Sequence, residues 1–172
     1  MSRLATATFG CGCFWTKEHL FGQLHGVTAT RVGFMGGWVM NPTYRQVCEK
    51  TSGHAEVVEV TYDTELTRFP ALLKAFFSFH DATRDRSAKG GQYRSVVFYR
   101  KAKERVIAER AVELLREHGL SITTAIEPAK VFWPAEARHQ GYVTRTGLRT
   151  EDSPRLGLED MSLEEAALSA AA

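Results

Sequence analysis

The chain has 172 residues, 44% apolar and 24% charged, which is the size and balance of one ordinary globular domain and excludes disorder over most of its length. Its 22 basic and 20 acidic side chains leave a net charge of +2, too little to draw it strongly to nucleic acid or to an anionic membrane. The N-terminal stretch is too short in apolar residues for a secretory signal, and no run approaches a membrane span. Three cysteines, two of them nearly adjacent, do not make a secreted disulfide framework, so a cytoplasmic protein with reduced thiols is expected.

In chain order, "LATATF" (Leu4–Phe9) is short and β-prone, and "GCG" is expected to break it. From Cys13 to Leu24 the apolar positions Phe14, Trp15, Leu20, Phe21 and Leu24 suit a helix ending near Gly26. "VTATRVGF" (Val27–Phe34) reads as a strand. Residues 35–54 read as a long loop rich in Gly, Asn-Pro and Ser-Gly. Long loops in compact domains are often functional. "AEVVEVTYD" (Ala55–Asp63) alternates as a third strand, and Phe69–His80 is a helix with Pro70 in its first turn. A second polar loop, Asp81–Tyr93, leads to a strand over Arg94–Arg100. Lys101–Gly119 is the clearest helix, with Val106, Ile107, Ala111, Leu114 and Leu115 on one face and Gly119 as its stop. "SITTAIEPA" is a last strand, and Lys130–Val143 has no clean period.

The order β-α-β-β-α-β, followed by an extra helix and strand, is the split βαβ or ferredoxin-like plan. The expected class is α/β (α+β): a sheet covered by helices, with long functional loops at the strand ends. Residues 1–147 are assigned to one catalytic domain. Residues 148–172 are assigned to a tail, in which Ser162 and Glu165 make a capping box for a short helix or a frayed end.

Cys13 stands at a glycine-flanked strand-to-helix turn. A thiol at a helix start meets unpaired N–H groups and the positive end of the helix dipole, and both favour thiolate. Its alternative is the inert buried cysteine. Phe14 and Trp15 are either core residues or the wall of a pocket for a small apolar group such as a methyl. Glu56 is in phase with Val58 and Val60. That phase suits an acid at the edge of an apolar wall, protonated near neutrality, although an exposed strand glutamate is commoner. His54 is an alternative acid. Tyr44 and Tyr93 each end a loop and can donate hydrogen bonds to one oxygen. Cys11, Cys13, Cys48 and His54 match structural zinc spacings poorly, so no metal is expected.

Through "GCFW", "PTYRQVC", "GHAEVVEVTYD" and "GGQYRS", the chain resembles the A-type peptide methionine sulfoxide reductases. The likeness runs from about Thr6 to Tyr142, and "TRVGFMGG", "FFSFHD" and "EARHQGY" fit the same template. It implies a ferredoxin-like fold, Cys13 as nucleophile, and Phe14 and Trp15 as the wall holding the substrate methyl. It further implies Glu56 as the acid that protonates the sulfoxide oxygen, Tyr44 and Tyr93 as binders of that oxygen, and His139 among the substrate-binding residues. Selectivity for the S epimer and repair of oxidised proteins follow from the same likeness.

The chain departs from the family pattern at several points. Thr16 stands where glycine is common. The loop before Tyr93 has Ala88 or Lys89 where an acid is usual, with Asp81 and Asp85 as the nearest substitutes. "EARHQGY" lacks an acid and a tyrosine that often follow the glutamate. No cysteine follows Cys48, whereas many relatives carry resolving cysteines near the C-terminus. Cys11 and Cys48 are therefore the internal candidates for resolving a Cys13 sulfenic acid, with thioredoxin or another thiol as reductant. The leading expectation is a one-cysteine cycle without an organic cofactor, in a monomer. The competing readings are another cysteine-nucleophile enzyme such as an acyl transferase, with His54 or His139 as base, and a non-catalytic binding module that keeps the aromatic pocket.

Overall fold

The computed structural model describes residues 3–88 and 90–150. Strand β1 (Leu4–Cys11) turns Ala7, Phe9 and Cys11 to one face, as period-two alternation requires. It is two residues longer than the sequence suggests. Gly10 does not break it, because Gly10 is paired with Val96 and a Cβ there would lie 2.7 Å from the Val96 side chain. The break comes at Gly12, whose φ of 102° favours glycine. Helix α1 (Phe14–Gly22) follows at once and stops short of the expected end near Gly26, with Gln23 as its C-cap.

Strand β2 (Val27–Met35) leads into the long loop, which hides a short helix, α2 (Tyr44–Cys48). Its signal is the Thr43–Gln46 capping box, a Thr-x-x-Gln pattern legible in the sequence. Strand β3 (Ala55–Asp63), helix α3 (Phe69–Ser78), strand β4 (Ser95–Tyr99) and helix α4 (Ala102–Glu117) fall where expected to within two residues. Strand β5 (Ala125–Pro128) runs parallel to β4. The segment without a clean period supplies a two-residue strand, β6 (Trp133–Pro134), a 3-10 turn (Ala137–His139) and the short helix α5 (Tyr142–Thr146). Gly33 lets β6 approach β2, since a Cβ there would meet the Trp133 carbonyl at 2.3 Å.

The sheet order is β5-β4-β1-β3-β2-β6. The central four strands are antiparallel in the order of the split βαβ plan, and β5 and β6 extend its edges. One sheet face shares a core with α1, α3 and α4, in which Phe9 stacks on Phe21 and Phe76. Burying each such ring contributes roughly 1.5–3 kcal/mol. Helix α4 buries Glu104, Ile107, Ala108, Ala111, Val112 and Leu115, while Val106 is 42% exposed. Its core face is therefore rotated from the expected one, toward the positions that meet α3 and β4. Among the described residues no helix is long and apolar enough to cross a membrane. The Ser162–Glu165 expectation lies outside the described residues.

Candidate active site

Cys13 is the N-cap of α1 and is half-buried. Its thiol meets the backbone N–H groups of Trp15 and Thr16, which pull its pKa down as the helix-start argument requires. The net displacement is nevertheless upward. Burial is the larger effect, and the charge of Glu56 adds to it. Burial thus outweighs the helix-start contribution, and a local sequence does not report desolvation.

Glu56 faces the helix layer in phase with Val58 and Val60 and is 1% exposed. One carboxyl oxygen accepts from Phe14 N at 3.3 Å, and the other accepts from Gln92 Nε2 at 2.9 Å. Both bonds favour the carboxylate, but burial outweighs them and pushes the pKa up to about 7. Gln92 is fixed in turn, because its backbone carbonyl accepts from Glu56 N at 2.8 Å.

Tyr44 opens α2, and Tyr93 precedes β4. Burial comes first among the causes that raise both phenols, followed for Tyr44 by Cys48 and Glu56 and for Tyr93 by Glu56 and Cys13. Tyr93 is pushed up to about 12. Both therefore stay protonated and able to donate at neutrality, and the two lie close enough to sense each other. Cys48 belongs to the same group: Gln92 Nε2 lies 3.5 Å from its sulfur, and Cys48 is among the neighbours that raise the Tyr44 pKa.

The aromatic wall spans the chain. The Phe14 ring lies against Phe34, Tyr44 and His139. Trp15 stacks on Tyr142 at 3.9 Å and donates from Nε1 to His139 Nδ1 at 3.0 Å. That bond makes Nδ1 the acceptor, so the proton of neutral His139 is on Nε2. Burial, then Arg138, lowers the His139 pKa and keeps the ring neutral. His139 is 2% exposed, and its Nε2 has no hydrogen-bond partner among the described residues. Flanking residues hold the turn in place. The Gln140 side chain accepts from Val32 N and donates to Val32 O and Ala135 O, and Gly141 N donates to the buried carboxyl of Glu18 on α1. Gln92, Glu18, Gln140 and Tyr142 were not singled out from the sequence. Their partners are remote in the chain, and only "HQGY" offered a hint for two of them.

Other candidates sit elsewhere. Cys11 is in the core, 2% exposed, and burial pushes its thiol up to about 12. His54 accepts from Gly37 N through Nδ1 at 3.0 Å and donates from Nε2 to the Val39 carbonyl at 2.7 Å, so it straps the loop after β2 and has no free nitrogen for acid catalysis. Asp81 and Asp85 each accept from residues two positions on, Thr83 and Ser87, within turns of their own exposed loop. Among the described residues no three His, Cys, Asp or Glu side chains are grouped to hold a metal ion.

The arrangement is a half-buried thiol at a helix start, a buried carboxyl able to hold a proton at neutrality, two phenol donors and an aromatic wall. A family description, "Peptide methionine sulfoxide reductase", matches residues 5–165. The chain is 44% identical over 153 residues to peptide methionine sulfoxide reductase MsrA of Acidobacterium capsulatum, covering 86% of this chain and 98% of that one. It is 46% identical over 155 residues to the MsrA of Methanothermobacter thermautotrophicus, covering 87% and 92%. The reduced form of Mxr1 from Saccharomyces cerevisiae superposes with a TM-score of 0.79 at 29% identity, over 87% of this chain and 90% of that one. Mxr1 has also been solved in complex with Trx2, at 24% identity to this chain. The family match and relatives more than 40% identical span most of the length, and the chain belongs to the A-type peptide methionine sulfoxide reductase family.

Proposed function

We propose that the protein reduces the S epimer of methionine sulfoxide, free or in proteins, to methionine, with Cys13 as nucleophile. The observation that carries the assignment of roles is Glu56, a carboxyl with pKa about 7 that accepts from the N–H of the residue next to Cys13. A sulfoxide sulfur becomes electrophilic when its oxygen is protonated or strongly hydrogen-bonded. Glu56 delivers that proton, and Tyr44 and Tyr93 donate to the same oxygen. While Glu56 is protonated it no longer holds the Cys13 pKa up, so thiolate forms most readily beside the acid form of its neighbour.

Phe14 and Trp15 hold the methyl group, and the unpartnered Nε2–H of His139 supplies a further donor to the substrate. Cys13 sulfur attacks, the S–O oxygen passes to it, and the substrate sulfur is reduced by two electrons while Cys13 becomes a sulfenic acid. Water leaves when a thiol displaces that hydroxyl, and a second thiol frees Cys13.

We assign the reductant role to thioredoxin or another thiol, the setting to the cytoplasm and the working unit to a monomer. The three free cysteines suit a reducing compartment. Cys48, beside Tyr44, is the better-placed internal resolving candidate, and the core position of Cys11 disfavours it. A single turnover with separate S and R epimers, followed by mass spectrometry of the thiols, tests the reading. Methionine release with the S epimer and one oxygen added at Cys13 is expected. Release with neither epimer, or oxidation at another thiol, overturns it.

A further inference from the structure

A cavity of about 430 Å³ opens beside Cys13. It shares Cys13 and Tyr93 with the site above, but Phe14, Trp15, Tyr44 and Glu56 are absent from its lining. Its walls carry Lys17, Arg84, Arg86 and Arg149 against one carboxylate, Asp81. His80, also in the wall, is neutral: burial holds its pKa down to about 4, and its ring bonds the Phe76 carbonyl and Ser95 Oγ. The four cations enter no ion pair with any described carboxylate. Lys17 Nζ donates to the Phe79 carbonyl at 2.6 Å, and the Arg86 guanidinium lies 5.9 Å from the Tyr93 ring centroid. A chain of net charge +2 thus gathers unpaired positive charge at the mouth of one thiol. Two of these cations, Arg84 and Arg86, come from the polar loop in which this chain lacks the usual acid.

We propose that this cleft binds an anionic low-molecular-weight thiol, of the size and charge of a dicarboxylate tripeptide such as glutathione, and presents it to oxidised Cys13. The inference rests on the reading that Cys13 carries the sulfenic acid. The volume falls within the roughly 300–1,000 Å³ of small-molecule sites. Guanidinium groups suit carboxylates, which they can bind in bidentate fashion. Glu56 and Tyr44, proton donors for the leaving hydroxyl, are absent from the cleft lining, so the cleft gives a thiol its own approach to the Cys13 sulfur. In the first step the thiol sulfur bonds to Cys13 sulfur, the S–O bond breaks, and the hydroxyl leaves as water with the thiol proton. In the second, another molecule of the thiol attacks the mixed disulfide, releasing Cys13 thiol and the symmetric disulfide. Per cycle, one sulfoxide and two thiols give one sulfide, one disulfide and one water.

The test starts from Cys13 sulfenic acid formed by one equivalent of methionine sulfoxide, with the methionine burst recorded. Its decay is then followed with glutathione, 2-mercaptoethanol and cysteamine at equal thiolate concentration. Glutathione is expected to react about tenfold faster than the neutral thiol and faster still than the cationic one, with the advantage shrinking at high salt. Arg84→Glu with Arg86→Glu is expected to remove the advantage while leaving the methionine burst intact. Equal rates for the three thiols, an advantage unchanged in the double variant, or restoration by thioredoxin alone overturns the proposal. A double variant that weakens only the binding of acidic sulfoxide peptides also overturns it, by assigning the charge to substrate. Absence of the burst in the wild-type protein is a different failure, that of the parent reading.

Discussion

Beside Cys13 on one side lie the rings of Phe14, Trp15, Tyr44 and His139 with the buried carboxyl of Glu56; in the cationic cleft lie Lys17, Arg84, Arg86 and Arg149. The first region acts by excluding water. There desolvation sets protonation, raising Glu56 to about 7, holding Cys13 as thiol and keeping His139 neutral. The second acts with water present, where charges are screened but reach over about a Debye length, roughly 8–10 Å. The contrast teaches that one sulfur can meet two reactants of different character without moving, provided each arrives through its own medium.

The largest effect that would test this division comes from Cys13→Ser. It is expected to abolish methionine release in a single turnover, while Cys48→Ser and Cys11→Ala retain the burst. Burst activity in the serine variant would detach both regions from the thiol they are said to serve. Next is Glu56→Gln, expected to slow sulfoxide reduction by about two to four orders of magnitude, the range for a general acid, with little change in alkylation of Cys13. An unaltered rate would make the dry region a packing feature only.

The pH dependence sharpens the same point. The proposed mechanism requires one proton between Cys13 and Glu56, so the wild-type burst rate should climb as pH rises through about 7, where the doubly protonated form is lost. It should fall again at higher pH, where the second proton leaves. Glu56→Gln should lack the limb near 7, as stopped-flow profiles of the two proteins would reveal. Stability follows the same group. Glu56 gains its proton in the fold at about 7 against 4.5 unperturbed, so between those values the native state binds more protons and wild-type stability falls as pH rises. The displacement corresponds to on the order of 3 kcal/mol. Urea melts of Glu56→Gln at pH 4.5 and 7.5 should show the variant gaining on the wild type by up to that amount.

The smallest effect is expected from His139→Phe. It preserves a ring between Phe14 and Trp15 but leaves the indole N–H without its acceptor and removes the free Nε2–H. Loss of about 1–3 kcal/mol, read as a roughly 5- to 150-fold fall in kcat/KM, should come with unchanged reactivity of the sulfenic acid toward thiols. A fall in the thiol step instead would mean that the aromatic side also governs recycling.

How much of this was legible before folding differs residue by residue. Alternation in "AEVVEV" was enough to put Glu56 on the side of Val58 and Val60, because strand period is a local property. The glycine-to-helix transition marked Cys13 as an N-cap for the same reason. The exposed position of Val106 escaped, since a helix with apolar residues on neighbouring positions does not say which of them meets the sheet. His54 looked like an acid and is a strap, because its partners, Gly37 and Val39, lie in an irregular loop whose path has no period to read.

By itself, the sequence determined strands β1 to β5, the main helices, their split βαβ order and the residue types gathered near Cys13. These depend on periodicity, capping and turn chemistry over a few neighbouring positions. Only the tertiary structure decided the state of those residues. Trp15 and His139 bond across 124 positions, and Gln92 reaches Glu56 across 36. The protonation of Cys13 and Glu56 depends on how much water the packed layers exclude. The cationic cleft likewise requires Lys17 from α1, two arginines from a loop and Arg149 to converge. Burial and long-range convergence are properties of the assembled core, and no local window of the chain contains them.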